Sequence, residues 1–128
     1  MADAAMLRGP SVAVGINRGL DYIRTNYLVR ESEQVESYLR LYPILIDALV
    51  DARPLIARYF GEQTKVELDV VDDPESADTR ELYAVIRSPY EPTETLDRLA
   101  HLDDEWLPKT PPEILERLVI SIGHASRV

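Results

Sequence analysis

The feature that most constrains this chain is a change of hydrophobic period at Gly61. Up to that residue apolar side chains recur every three or four positions, and just beyond it Val66, Leu68 and Val70 alternate with Lys65, Glu67 and Asp69. A period near 3.6 lays one stripe along a helix, whereas a period of two gives a strand with one buried and one wet face. The chain therefore divides into a helical first half and a second half that begins with strands.

Three helices are expected before Gly61. Val12, Ile16, Leu20, Ile23 and Tyr27 form the stripe of the first, over 12–29. Gly15 and Gly19 weaken it by about 1 kcal/mol each relative to Ala, so it depends on packing or on a partner chain. Ser32 is placed to cap the second, with Glu33 in its first turn and Val35, Tyr38, Leu39 and Tyr42 on its buried face. The third opens at Pro43 and is apolar round most of its circumference. Pro54 is expected to kink or restart it, and Gly61 to cap its end.

Beyond Gly61 the pattern reads β-β-α-β. Strands are expected at 66–70 and 82–87, paired antiparallel across a turn-like stretch at 72–79. Thr93 should cap a helix whose face carries Leu96, Leu99, Ala100, Trp106 and Leu107; Pro108, Pro111 and Pro112 stop it, and 118–122 forms the last strand. The fold class is α+β, with the N-terminal helices packed on a small, mostly antiparallel sheet. Such a sheet has a second face, which the N-terminal helices or another copy of the chain should cover. At 128 residues one core is expected, so residues 1–11 read as a flexible arm and 12–128 as a single domain.

The charge is unevenly placed. Of the net −9, residues 62–105 carry net −10 from 14 acidic and 4 basic side chains, while residues 1–61 are balanced at 7 of each. That field repels phosphate backbones and attracts cations or basic proteins, so direct nucleic-acid binding is not expected. With no cysteine, disulfides, thiolate metal sites and a thiol nucleophile are excluded. Neither a signal-peptide layout nor a bilayer-length apolar run is visible, and a cytoplasmic protein away from the membrane is expected.

Two places could hold chemistry. Asp69, Asp72, Asp73, Glu75 and Asp78 crowd the end of the first strand and its turn. Clustered carboxylates suit Mg²⁺ or Ca²⁺, which makes Asp69, Asp72 and Asp73 metal candidates, although the spacing fits no calcium loop and a solvated turn uses the same residues. The second place is Asp103, Asp104, Glu105 and Trp106. At 100° per residue Asp103 points into the packed face of its helix, while Asp97, His101, Asp104 and Glu105 face away. A carboxylate there must find a backbone donor or Arg117, or else protonate.

No catalytic residue and no cofactor site emerges. The chain has no G-x-S-x-G, H-E-x-x-H, P-loop or G-x-G-x-x-G, and its two histidines are His101, flanked one turn away by Asp97 and Glu105, and His124 in the tail.

Residues 66–122 contain, in order, VELDVVDDPE, ELYAVIRSP, TLDRLAHLDDEW and LVISI. That order resembles a family of small bacterial proteins of unknown function in which D-P-E, a second strand opening on E-L and a helix ending in L-D-[DE]-E-W recur. The likeness spans less than half of the chain and departs from the family pattern at Pro108, Pro111 and Pro112. It implies an α+β fold, and it carries over neither an activity nor a functional residue.

The expectation is a non-enzymatic protein-interaction module that self-associates, the acidic, antitoxin-like or regulatory member of a bacterial two-gene system docking on a basic partner. The alternative is a metal-dependent hydrolase or nuclease built on Asp69, Asp72 and Asp73.

Overall fold

The computed structural model describes residues 15–73 and 76–124, and the side chains of 15–71 and 80–123. The expected N-terminal arm and residues 12–14 of the first helix lie outside the described residues, as do Glu75 and the side chains of Asp72, Asp73 and Asp78.

The order is α1 (15–26), β1 (Leu28–Val29), α2 (Ser32–Leu41), α3 (Ile44–Phe60), β2 (Lys65–Asp73), β3 (Ser76–Ser88), α4 (Pro92–Trp106), a 3-10 turn (Leu107–Lys109), α5 (Pro112–Leu115) and β4 (Leu118–His124). The class is α+β as expected, with helices first and a four-stranded sheet in the order β1-β2-β3-β4.

The sheet is mixed. β2 and β3 form the antiparallel hairpin, but β1 runs parallel to β2 and β4 parallel to β3. A parallel neighbour needs a crossover, and the α4–α5 segment supplies it between β3 and β4. The strands also run further than the alternation shows. Residues 72–73 and 76–79, read as a turn, belong to β2 and β3, with Asp72 opposite Arg80, Asp73 opposite Ser76 and an irregularity between Asp72 and Asp73.

Helix boundaries differ in instructive ways. α1 stops at 26, and Leu28 and Val29 pair with Glu67 and Leu68. Thr25 and Asn26 bond back to the carbonyls of Asp21 and Tyr22, while Arg53 from α3 takes the Asn26 carbonyl at 3.0 Å. Glu31, not Ser32, precedes α2, with φ 42°, and its carbonyl receives the amides of Gln34 and Val35. Pro54 lies inside α3 without interrupting it, and Gly61 ends the helix at φ 102°. α4 starts at Pro92, whose missing amide proton is harmless in a first turn, so Thr93 does not cap it.

One core joins the layers. Leu20 and Ile23 of α1, Leu39 of α2, Leu45, Leu49, Ile56 and Phe60 of α3, and Leu102 of α4 are almost fully buried against Val66, Leu68, Leu82, Ala84, Ile86 and Leu118. Each large aliphatic or aromatic side chain buried there contributes about 1.5–3 kcal/mol. Gly19 belongs to this packing, since a Cβ at that position would overlap Ile46 Cγ2; the residue that weakens α1 is the one that lets it approach α3.

The opposite sheet face is outside the core. Strand alternation and register place Leu28, Lys65, Glu67, Asp69, Val71, Glu81, Tyr83, Val85, Arg87, Val119 and Ser121 on it. None of its apolar members packs against the core, and Leu28 and Val71 are 44% and 42% exposed. Among the described residues no helix covers this face.

Candidate functional site

α3 and α4 lie side by side, and their seam is fixed by charge. Arg98 of α4 donates to the Tyr59 carbonyl at 2.6 Å, satisfying one of the free acceptors in the last turn of α3, and its guanidinium lies 3.8 Å above the Tyr90 ring. Lower down, Arg58 donates to both Glu105 oxygens at 2.8 and 3.0 Å, and the Tyr59 hydroxyl also bonds Glu105. The Tyr59 hydroxyl, and then Arg58, hold the Glu105 carboxyl below its usual range. Glu105 was expected to face away from the packed side; it is the residue that closes the seam.

The reason is rotational. The buried positions of α4 are Thr95, Leu102 and Trp106, with Leu99 partly buried, while Leu96 is 57% exposed. The helix is turned by roughly 80° from the face expected at 100° per residue. Leu96 and Leu102 are both leucines, so hydrophobicity alone does not choose between their faces; the buried face also carries Thr95, whose hydroxyl lies 2.6 Å from that of Ser88 and bonds the Tyr90 carbonyl at 3.1 Å. Asp103 consequently sits at the border of the packed face, half-buried; its carbonyl accepts the Leu107 amide, but its carboxylate has no hydrogen bond or ion pair among the described residues. Burial, and then the neighbouring Asp104 charge, push its carboxyl pKa up. Arg117, its expected partner, instead stacks 3.9 Å over the Tyr42 ring. Asp104 is exposed, as is His101, whose ring lies parallel to that of Tyr59 at 6.3 Å.

Below the seam α3, α4 and α5 enclose a groove of about 420 Å³. Ile44, Leu55, Trp106 and Ile114 give it an apolar lining, with Trp106 only 7% exposed and Ile44 40%. Asp47 and Asp51, one turn apart on α3, stand on it without an ion pair among the described residues, and Arg58 and Lys109 complete the charged lining. Two of the four expected interaction residues, Glu105 and Trp106, therefore meet in one groove; Asp103 and Asp104 do not line it. Asp47, Asp51 and Ile44 were missed because only folding brings α3 beneath the end of α4.

The acidic hairpin gathers less. Asp69 is opposite Tyr83, and Asp72 is opposite Arg80. Among the described residues no group of three or more His, Asp or Glu side chains is arranged to hold a metal ion.

A third cluster was not anticipated. Glu67 is buried on the open sheet face between Arg30, at 2.6 Å, and Arg87. Burial alone would raise its pKa, but the bonds and charge of Arg87, and then of Arg30, outweigh it and leave the carboxyl below its usual range. Arg87 lies flat across the sheet over Gly123, where a Cβ would stand 2.5 Å from its Nη1.

No family model matches the chain, and no curated protein or solved structure matches it. No helix among the described residues is long and apolar enough to cross a membrane.

Proposed function

We propose that this chain is a non-enzymatic protein-interaction module that self-associates and receives a basic amphipathic segment of a protein partner, as the acidic member of a bacterial two-gene pair would. The observation that carries this reading is the groove between α3, α4 and α5. It has an apolar lining from Ile44, Leu55, Trp106 and Ile114, and two carboxylates on the same helix, Asp47 and Asp51, that have no ion pair among the described residues. A helix laying its apolar face in such a groove, with Lys or Arg at its margin, would meet both features.

The distribution of paired charge supports it. Arg24, Arg30, Arg58, Arg87 and Arg98 are engaged in ion pairs within the chain. Asp47, Asp51, Asp97 and Asp104 have none among the described residues, so unpaired negative charge stands on the helical side, where it steers a basic partner.

Calorimetric titration with a synthetic Lys/Leu helical peptide tests this, with a scrambled peptide of equal charge as control. Saturable binding of the amphipathic peptide, weakened by added salt and lost in Asp47→Lys/Asp51→Lys, is expected. Equal binding of both peptides, or no effect of the double substitution, would overturn the groove as the docking site.

A further inference from the structure

The open sheet face is polarised, and in a self-complementary way. At one end Lys65 and Arg87 are direct cross-strand partners, and Arg30 joins them through Glu67. Like charges placed directly opposite are destabilising, and one buried carboxylate among three cations leaves a positive surplus. These residues, with Leu28, Phe60 and Pro89, line an open cleft of about 590 Å³, with Glu62 also in its lining. Further along the same face stand Asp69, opposite Tyr83 in mid-sheet, and then Glu81, opposite the exposed Val71. Tyr83 and Val119 lie level with Asp69, and Val85 lies level with Glu67; none of the three apolar side chains is packed against the core.

We infer that this face is the surface on which two copies of the chain meet, packed face to face about a twofold axis with their ends exchanged. The inference rests on the self-association part of the reading above and is independent of the groove. A twofold contact is isologous, so a patch must complement itself. Turning one sheet end for end sets Lys65 and Arg87 of each copy over Asp69 and Glu81 of the other. It also brings the Tyr83, Val85 and Val119 patches together. Lys65 is separated by roughly 13 Å of strand from Asp69 and by roughly 20 Å from the level of Glu81, enough to keep the opposite charges from neutralising each other within one copy, since charges are screened over about 8 Å at physiological salt.

The area sets the strength. Three full strands and the stub β1 offer on the order of 500 Å² per copy, below the roughly 800 Å² of a standard stable interface. The dimer is accordingly weak, forms with rising concentration, and is favoured by low salt.

Sedimentation velocity of the full chain over a concentration series tests this, with Lys65→Glu, Glu81→Lys, their combination and Val119→Lys, each checked for native circular dichroism. The wild type should pass from monomer to dimer as concentration rises, with tighter association at low salt. Each single charge reversal should weaken association about 10-fold, and Val119→Lys should abolish it; the combined reversal, which exchanges the ends, should restore it to within about 3-fold of the wild type. A monomer at every concentration and salt would overturn the inference. So would a dimer indifferent to all four variants, or a combined variant weaker than either single one. Peptide titration of the groove on the same preparations separates the two readings, because Lys65→Glu leaves the groove untouched.

Discussion

Replacing Glu67 by glutamine keeps the shape of the side chain and removes the charge that Arg30 and Arg87 share. The Glu67 side chain is 8% exposed, against 32% for Arg87 and 70% for Arg30. Removing one member of a fully buried pair costs about 3–5 kcal/mol. Here both arginines can rehydrate, Arg30 almost freely, so the cost falls to that of lost charge-assisted hydrogen bonds, about 2 kcal/mol. For 128 residues the unfolding entropy near the midpoint is roughly 0.27 kcal/mol/K, which makes the expected fall in Tm about 7 °C. The pH dependence has a definite sign. The folded pKa of Glu67 lies below its unfolded value, so its stabilising contribution is complete above about 4.3 and is lost as pH falls through the folded pKa. Scanning calorimetry from neutral to strongly acid pH should show the wild-type and Glu67→Gln midpoints far apart near neutrality and converging in acid. Asp69→Asn, two residues along the same face, should change stability by less than about 0.5 kcal/mol. A Glu67→Gln midpoint within 1–2 °C of the wild type at neutral pH, or a gap of constant size down to the lowest pH, would refute the buried-pair account.

Three further outcomes are expected. Asp103→Asn should raise stability at neutral pH, because the folded pKa of this half-buried carboxyl lies above its unfolded value and its ionised form is disfavoured by folding; urea titrations should show the gain shrinking below about pH 4, where both states are protonated. Gly19→Ala should destabilise despite its better helix propensity, since its Cβ meets Ile46 Cγ2, whereas Gly15→Ala, with nothing within 4 Å, should not; equal midpoints for the two would remove the close α1–α3 approach. Gly123→Ala should lift Arg87 off the sheet and loosen its bond to Glu67, so that acid unfolding begins at higher pH than in the wild type.

The α+β class was legible because the period change at Gly61 is a backbone-level signal that tertiary contacts need only confirm. Gly61 itself was readable as a cap, since few other residues accept φ 102°. The parallel placement of β4 was not legible. Leu118, Ile120 and Ile122 alternate identically in either direction, and only the helical crossover fixes which way the strand runs. β1 was hidden because two residues carry no period, and Leu28 and Val29 continue the helical stripe until Glu67 and Leu68 offer them a ladder. At the candidate site the segment 103–106 was found by helical projection, but its orientation was misjudged because the buried face includes Thr95, hydrogen-bonded to Ser88, a polar residue that hydrophobic periodicity leaves out. Arg30, Glu67 and Arg87 were invisible for a similar reason. A buried carboxylate between two arginines from different elements leaves no spacing signature, and Glu67 reads as one more wet-face residue until its partners are folded against it.

Trp106 is the single tryptophan and lines the α3–α4–α5 groove, so its emission reports on the proposed docking site. Titrating the amphipathic basic peptide into the full chain should shift that emission saturably at low salt, with the shift reversed by salt and absent in Asp47→Lys/Asp51→Lys. An emission spectrum that stays constant through the titration, or that shifts equally in the double variant, would contradict the groove as the place where this protein meets its partner.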